Sequence, residues 1–274
     1  MARTIVDTAT TATARDQPRS PSPPQSRSAA PSVALDSVSK KFGSGKTAVH
    51  ALDQVTLDVA PGEFVCLIGA SGCGKSTLLN LVAGLDRPSA GIVNVSGRTA
   101  LMFQESALFP WLTVARNVEL ALKLQGTSKA ERKDRVADLL RVVHLDGFAD
   151  KRPHELSGGM RQRVALARAF AQDADIVLMD EPFGALDAMT RDLLHDELER
   201  LWEERRFSVL FVTHNVREAA RLADRVVLLS SRPGRVASTF IPDMPRPRRM
   251  EDPALTHLAG EITASLRQEV ARHA

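Results

Sequence analysis

Apolar residues in this chain fall into runs of two different periods. Four runs are short and nearly unbroken: EFVCLIG ending at Gly69, TALMFQ ending at Gln104, DIVLMDE ending at Asp180 and Glu181, and SVLFVTH ending at His214. Continuous apolar stretches of that length predict strands covered on both faces. AVHALDQVTLDV, residues 48–59, instead alternates apolar and polar positions and predicts a strand with one wet face. Helical spacing appears in STLLNLVAG after Lys75, across 105–126, across 128–145 and in LSGGMRQRVALARAF, residues 156–170. In the last of these, Met160, Val164, Ala167 and Phe170 or Ala171 recur on one face. The pattern predicts an α/β fold. Beyond Ser231 the chain turns Pro/Arg-rich and extended, and a short helix is predicted over roughly Ala254–Arg272.

Each unbroken run stops at a residue able to handle phosphate, metal or water. In open parallel sheets, ligands gather outside the carboxyl ends of the strands, because loops and helix N-termini converge there. The first run leads into Gly69, Ala70, Ser71, Gly72, Cys73, Gly74, Lys75, Ser76 and Thr77, which meet the spacing G-x-x-x-x-G-K-[ST] between a buried strand and a helix. Such a turn aims backbone N–H groups and a helix N-terminus at phosphates. Lys75 is then placed for the β- and γ-phosphates and the Ser76 hydroxyl for Mg²⁺. An earlier GSGKT at 43–47 has Lys40 where the first glycine should stand, and a strand rather than a helix follows it. That stretch predicts a turn between antiparallel strands.

Asp180 and Glu181 give two adjacent carboxylates at a strand end, suited to metal binding and to activating water as a general base. Gln104 is a neutral candidate for metal or water, and His214 for a γ-phosphate. Ser157, Gly158 and Gly159 open the 156–170 helix with bare backbone, a second anion site in a chain that already has one.

Composition narrows the class. The 274 residues are 43% hydrophobic and 25% charged, as expected for a globular protein with a substantial core. Aromatics make up 4%, with no tyrosine, which argues against a nucleic-acid platform of stacked rings. The net charge of +3 is a weak pointer to anionic partners. Cys66 and Cys73 lack the company of a zinc site or a disulfide framework and suit a reducing compartment. No apolar run approaches the roughly 20 residues of a membrane span. Residues 1–31 are small, polar and Pro-rich and predict a disordered tail.

LSGGMRQR, residues 156–163, resembles the signature motif of the ATP-binding cassette (ABC) ATPases, most often LSGGQ, with Met160 where glutamine is commonest. The family's other landmarks follow in order: the phosphate loop at 69–77, Gln104, the acidic strand at 176–181, GALD at 184–187 and His214. The resemblance covers roughly residues 33–231. It implies a P-loop NTPase (RecA-like) core sheet in 32–104 and 166–231, with an antiparallel β subdomain. It further implies an inserted helical subdomain in 105–165 and a C-terminal extension in 232–274. ATP and Mg²⁺ are the implied ligands, with Ser76, Gln104 and Asp180 at the metal and Glu181, His214, Gln104 and Lys75 catalytic.

In that family two copies pack head to tail, so Ser157, Gly158, Gly159 and Asp187 of one chain complete the site of the other. The adenine platform is usually a tyrosine, and Phe42 stands at the matching place. Phe109, Pro110 and Trp111 resemble part of the surface that receives a membrane subunit. The implied assembly is a homodimer on the cytoplasmic face of the membrane, with two permease subunits and a periplasmic or extracellular solute-binding protein, and no nucleic acid. The segments RPGR, PRPR, LFPW and EPFGALDAMTR resemble the nitrate/sulfonate/taurine importer branch, and aliphatic sulfonates are the favoured solute. Nitrate, taurine or another small solute is the alternative. A non-transport ABC ATPase is less expected, because neither the second cassette of translation factors nor the long coiled-coil insertion of repair proteins appears, and the intact Lys75, Asp180, Glu181 and His214 speak against a decayed binding module.

Overall fold

The computed structural model describes residues 30–272; the tail expected over 1–31 lies almost wholly outside them. Two sheets form the frame. Strands β1 (Val33–Phe42), β2 (Val49–Val59) and β4 (Ala90–Val95) make a small antiparallel sheet in the order β2-β1-β4. The GSGKT stretch joins β1 to β2, and Phe42 pairs with Val49 across it. It is a hairpin connection, as its sequence implies.

The larger sheet has the order β5-β6-β7-β3-β8-β9. It is built from β3 (Phe64–Ile68), β5 (Thr99–Met102), β6 (Ile176–Asp180), β7 (Ser208–Val212), β8 (Arg225–Leu229) and β9 (Val236–Phe240). All neighbours are parallel except the antiparallel edge pair β8–β9. The four unbroken runs are four of its strands, and alternation explains why they need no polar face. Phe64, Cys66 and Ile68 point into one core and Val65 and Leu67 into the other. Val177 and Met179 oppose Ile176 and Leu178 in the same way. Full burial of each such side chain contributes about 1.5–3 kcal/mol.

One core lies toward α1 (Lys75–Val82) and the antiparallel sheet. The other lies under α2 (Val114–Leu124), α3 (Lys129–Val142), α4 (Gly158–Phe170), α5 (Ala188–Arg205), α6 (Val216–Leu222) and α7 (Pro253–Ala271). The helix expected across 105–126 begins only at Val114. Ala107 adopts a positive φ of 43°, Pro110 interrupts, and the Thr113 side chain accepts from Arg116 N as an N-cap. The boundary drawn between 165 and 166 falls inside α4.

The segment after Ser231 does not trail away from the core. β9 extends the large sheet, and Leu255 and Ile262 of α7 are fully buried in it. Two arginines of the Pro/Arg-rich stretch fasten it. Arg246 bonds Glu199 at 2.8 Å, Asp224 at 2.9 Å and the Leu222 carbonyl at 2.6 Å, and its guanidinium lies 4.4 Å from the Trp202 ring centre. Arg248, buried, donates to the carbonyls of Ala220, Arg221 and Ala223, the otherwise open end of α6.

Candidate nucleotide-binding site

β3 ends at Ile68 and the chain wraps through Gly69–Gly74 into α1, whose first residue is Lys75. Gly74 adopts φ 107°, and a Cβ there would lie 2.6 Å from Leu52 Cδ2, so only glycine lets the loop close against β2. Lys75 is buried, and its Nζ donates to the carbonyls of Gly69 at 2.8 Å and Ala70 at 3.0 Å, with Cys73 Sγ at 3.8 Å. These partners are neutral. A buried ammonium hydrogen-bonded to neutral groups is a cation positioned for an anion to arrive.

A cavity of about 470 Å³ opens over this loop. Gly69, Ser71, Gly72, Gly74, Lys75, Ser76, Thr77, Gln104, Asp180, Glu181, His214 and Phe42 all line it. Ala70 and Cys73 support it from behind, through the Ala70 carbonyl and the buried Cys73 thiol. Burial raises the Cys73 pKa, an effect Lys75 partly opposes.

Asp180 closes β6, buried, and desolvation raises its pKa, while the Ser76 hydroxyl donates to it and Glu181 pushes it further up. Glu181 follows at a positive φ of 48°, a backbone conformation that turns its carboxylate out of the strand. Its Oε2 lies 3.2 Å from His214 Nδ1 and 3.4 Å from Gln104 Nε2, so three strand ends meet at one carboxylate. The oxygens of Ser76, Asp180 and Gln104 are the donor set a hard cation such as Mg²⁺ takes beside phosphate, and they fit it.

Phe42, 44% exposed, stands on the rim beside Val49 and Ala51 rather than in the hairpin core. Three lining residues escaped the sequence reading: Val49, Ala51 and Arg232.

The remaining predicted residues are not among those lining this cavity and lie beside one another. Ser157 caps α4 by accepting from Met160 N at 3.2 Å, and Asp187 caps α5 by accepting from Thr190 N at 3.0 Å. Gln162, buried, accepts from Ala185 N at 2.9 Å and ties the two caps together. A Cβ on Gly159 would meet Leu186 Cδ2 at 2.9 Å, so the glycine permits that packing. Ser157–Gly159 pack against Ala185 and Leu186 and are not among the residues lining the cavity that holds Lys75.

A cavity that joins a buried ammonium to paired carboxylates suits a polyphosphate and the water that cleaves it, and this sheet order and loop place the molecule among the P-loop ATPases. Comparison narrows the class. The ABC transporter family model matches residues 52–184. The chain is 46% identical over 219 residues to the nitrate import ATP-binding protein NrtD of Synechocystis sp., covering 77% of this chain and 82% of that one. It is 45% identical over 252 residues to the taurine import ATP-binding protein TauB of Mesorhizobium japonicum, covering 86% and 97%. A solved dimeric ATP-binding cassette, in a post-hydrolysis state bound to ADP and Pi, superposes with a TM-score of 0.72 at 34% identity, covering 77% of this chain and 99% of that one. The chain belongs to the ABC transporter family and is its ATP-hydrolysing cassette. Among the described residues no helix is long and apolar enough to cross a membrane.

Proposed function

We propose that this chain powers a solute importer. Two copies bind ATP between them head to tail and drive uptake through two separate permease subunits, supplied by a periplasmic or extracellular solute-binding protein. The cassettes then sit at the cytoplasmic face of the membrane. The convergence of Lys75, Ser76, Gln104, Asp180, Glu181 and His214 on one cavity carries the hydrolytic part of this reading. The nitrate and taurine import relatives support the importer part. Aliphatic sulfonates remain the favoured solute, with nitrate or taurine the alternative. The division into a core of 32–104 and 166–231, a helical subdomain of 105–165 and an extension of 232–274 belongs to the same proposal.

In this reading Lys75 and the phosphate-loop amides hold the β- and γ-phosphates, and Phe42 stacks on the base. Ser76, Asp180 and Gln104 would hold Mg²⁺, which would supply positive charge to neutralise phosphate oxygens. Glu181 takes a proton from water as its oxygen attacks the γ-phosphorus, and the bond to the β–γ bridging oxygen breaks, leaving ADP and phosphate. His214, whose Nδ1 lies 3.2 Å from Glu181 Oε2, shares the γ-phosphate. Ser157, Gly158, Gly159 and Asp187 act on the partner's nucleotide.

Glu181→Gln tests the centre of this scheme. ATP binding is expected to persist while turnover falls by about 10²-fold or more, the usual contribution of a general base, and an ATP-bound dimer accumulates. Unchanged turnover removes Glu181 from the role. Growth of a deletion strain on alkanesulfonates, taurine, sulfate and nitrate as sole sulfur or nitrogen sources identifies the solute.

A further inference from the structure

Arg232 lies in the same cavity and has no role in the scheme above. It sits in the turn between β8 and β9, and that turn is fastened at several points. Ser230 N donates to the Arg235 carbonyl at 2.9 Å, and Ser230 Oγ donates to the Pro233 carbonyl at 3.0 Å. Gly234 N donates to the Ala51 carbonyl at 2.9 Å, Asp53 N donates back to the Gly234 carbonyl at 3.0 Å, and Arg235 Nε reaches Asp53 at 2.9 Å. Gly234 is pressed so closely onto the Cys73 carbonyl that a Cβ would collide with it. The turn is thus wedged between β2 and the phosphate loop.

From this base the Arg232 guanidinium spreads over the loop. Its Nε and Nη2 both donate to the Gly72 carbonyl, at 3.2 and 3.1 Å. A guanidinium has five N–H donors in a fixed fork, so sharing one carbonyl oxygen leaves donors over for a ligand. Among the described residues no carboxylate pairs with Arg232, although Arg235 three residues on has Asp53. An arginine with no acidic partner, on a rigid turn and lining a phosphate cradle, has the charge and the fork geometry that polyphosphates select.

We propose that Arg232 contacts bound nucleotide, a second cation beside Lys75 that donates to the phosphate chain from the β8–β9 turn. The proposal rests on the nucleotide site described above. Arg232 is exposed to solvent, so the contact is screened and its contribution is modest beside that of Lys75.

The test is titration of the full-length protein with a ribose-labelled fluorescent ADP, with unlabelled ADP and adenosine as competitors. Arg232→Gln and Arg232→Ala are expected to weaken ADP binding about tenfold, the loss of one charge-assisted contact, with Arg232→Lys recovering most of it. The salt dependence of ADP affinity should flatten in Arg232→Gln, and adenosine should compete equally with every variant. Glutamine can still donate to the Gly72 carbonyl. ADP affinity in Arg232→Gln equal to the unsubstituted protein would therefore overturn the proposal, as would an equal loss for adenosine and ADP. Lys75→Ala separates the two levels: if it binds ADP like the unsubstituted protein, the nucleotide site itself is wrong, whatever Arg232 does.

Discussion

Phe42 owes its place on the cavity rim to a lysine beneath it. Lys40 Nζ lies 5.0 Å from the Phe42 ring centre, a cation–π contact, and is anchored by Asp86 at 2.6 Å and by the Arg87 carbonyl at 2.8 Å. The Lys40 hydrogen bond, with the Arg87 amide second, holds the Asp86 carboxyl below its ordinary 3.8. A depressed carboxylate adds stability above its unfolded-state value and loses it as pH falls through the folded one. Asp86→Asn should therefore lower Tm at neutral pH, with the deficit closing below pH 3.8 as the native aspartate is also protonated. Thermal melts across that range check it. A deficit that stays constant down to the lowest pH would mean the charge is irrelevant. The same substitution should weaken ADP binding slightly, because Phe42 loses its support.

At the scale of elements, the 109–113 part of the loop before α2 is tied to that helix by one buried side chain, Asn117, while Arg168 holds the Ser106 and Ala107 carbonyls. Asn117 Nδ2 donates to the carbonyls of Phe109, Leu112 and Thr113, and its Oδ1 accepts from Phe109 N at 2.9 Å. Trp111 within this loop stands 68% exposed, its ring centre 5.5 Å from that of Phe109. Asn117→Ala strands these groups and should cost about 1–3 kcal/mol, read from the denaturant midpoint. ATP hydrolysis by the isolated protein should survive, while transport by the assembled importer falls. Full transport would remove the 109–113 loop from coupling. What could be read from sequence follows the same division between local and distant causes. The strands leading to Gly69, Gln104, Asp180 and His214 were legible because each is an apolar run of its own, although β3 closes at Ile68, β5 at Met102 and β7 at Val212, a residue or two before the polar group. The Thr113 cap was also local, a threonine just before the helical spacing, but Glu105–Leu112 carries enough apolar residues to imitate a further turn. Arg232 was not legible as a cavity residue. Its contact at Gly72 spans 160 positions and exists only because β8 pairs with β3 and the turn after it docks on β2.

The largest consequence concerns how many molecules make one site. Ser157–Gly159 and Asp187 are not among the residues lining the cavity that holds Lys75, so the proposed head-to-tail pairing gives a single copy half of two sites rather than one whole site. Mixed dimers isolated with two affinity tags turn this into arithmetic. With Lys75→Ala in one chain and Ser157→Arg in the other, head-to-tail pairing puts both lesions in one composite site and leaves the second intact. With both lesions in one chain opposite an unsubstituted partner, each composite site carries one lesion. The first dimer should occlude one nucleotide per pair and the second none. Self-contained sites predict the reverse, since an unsubstituted partner would then keep its own site whole. Occlusion, measured as nucleotide retained after rapid gel filtration with Glu181→Gln in both chains, does not require turnover, so loss of cooperativity between the sites cannot imitate either result.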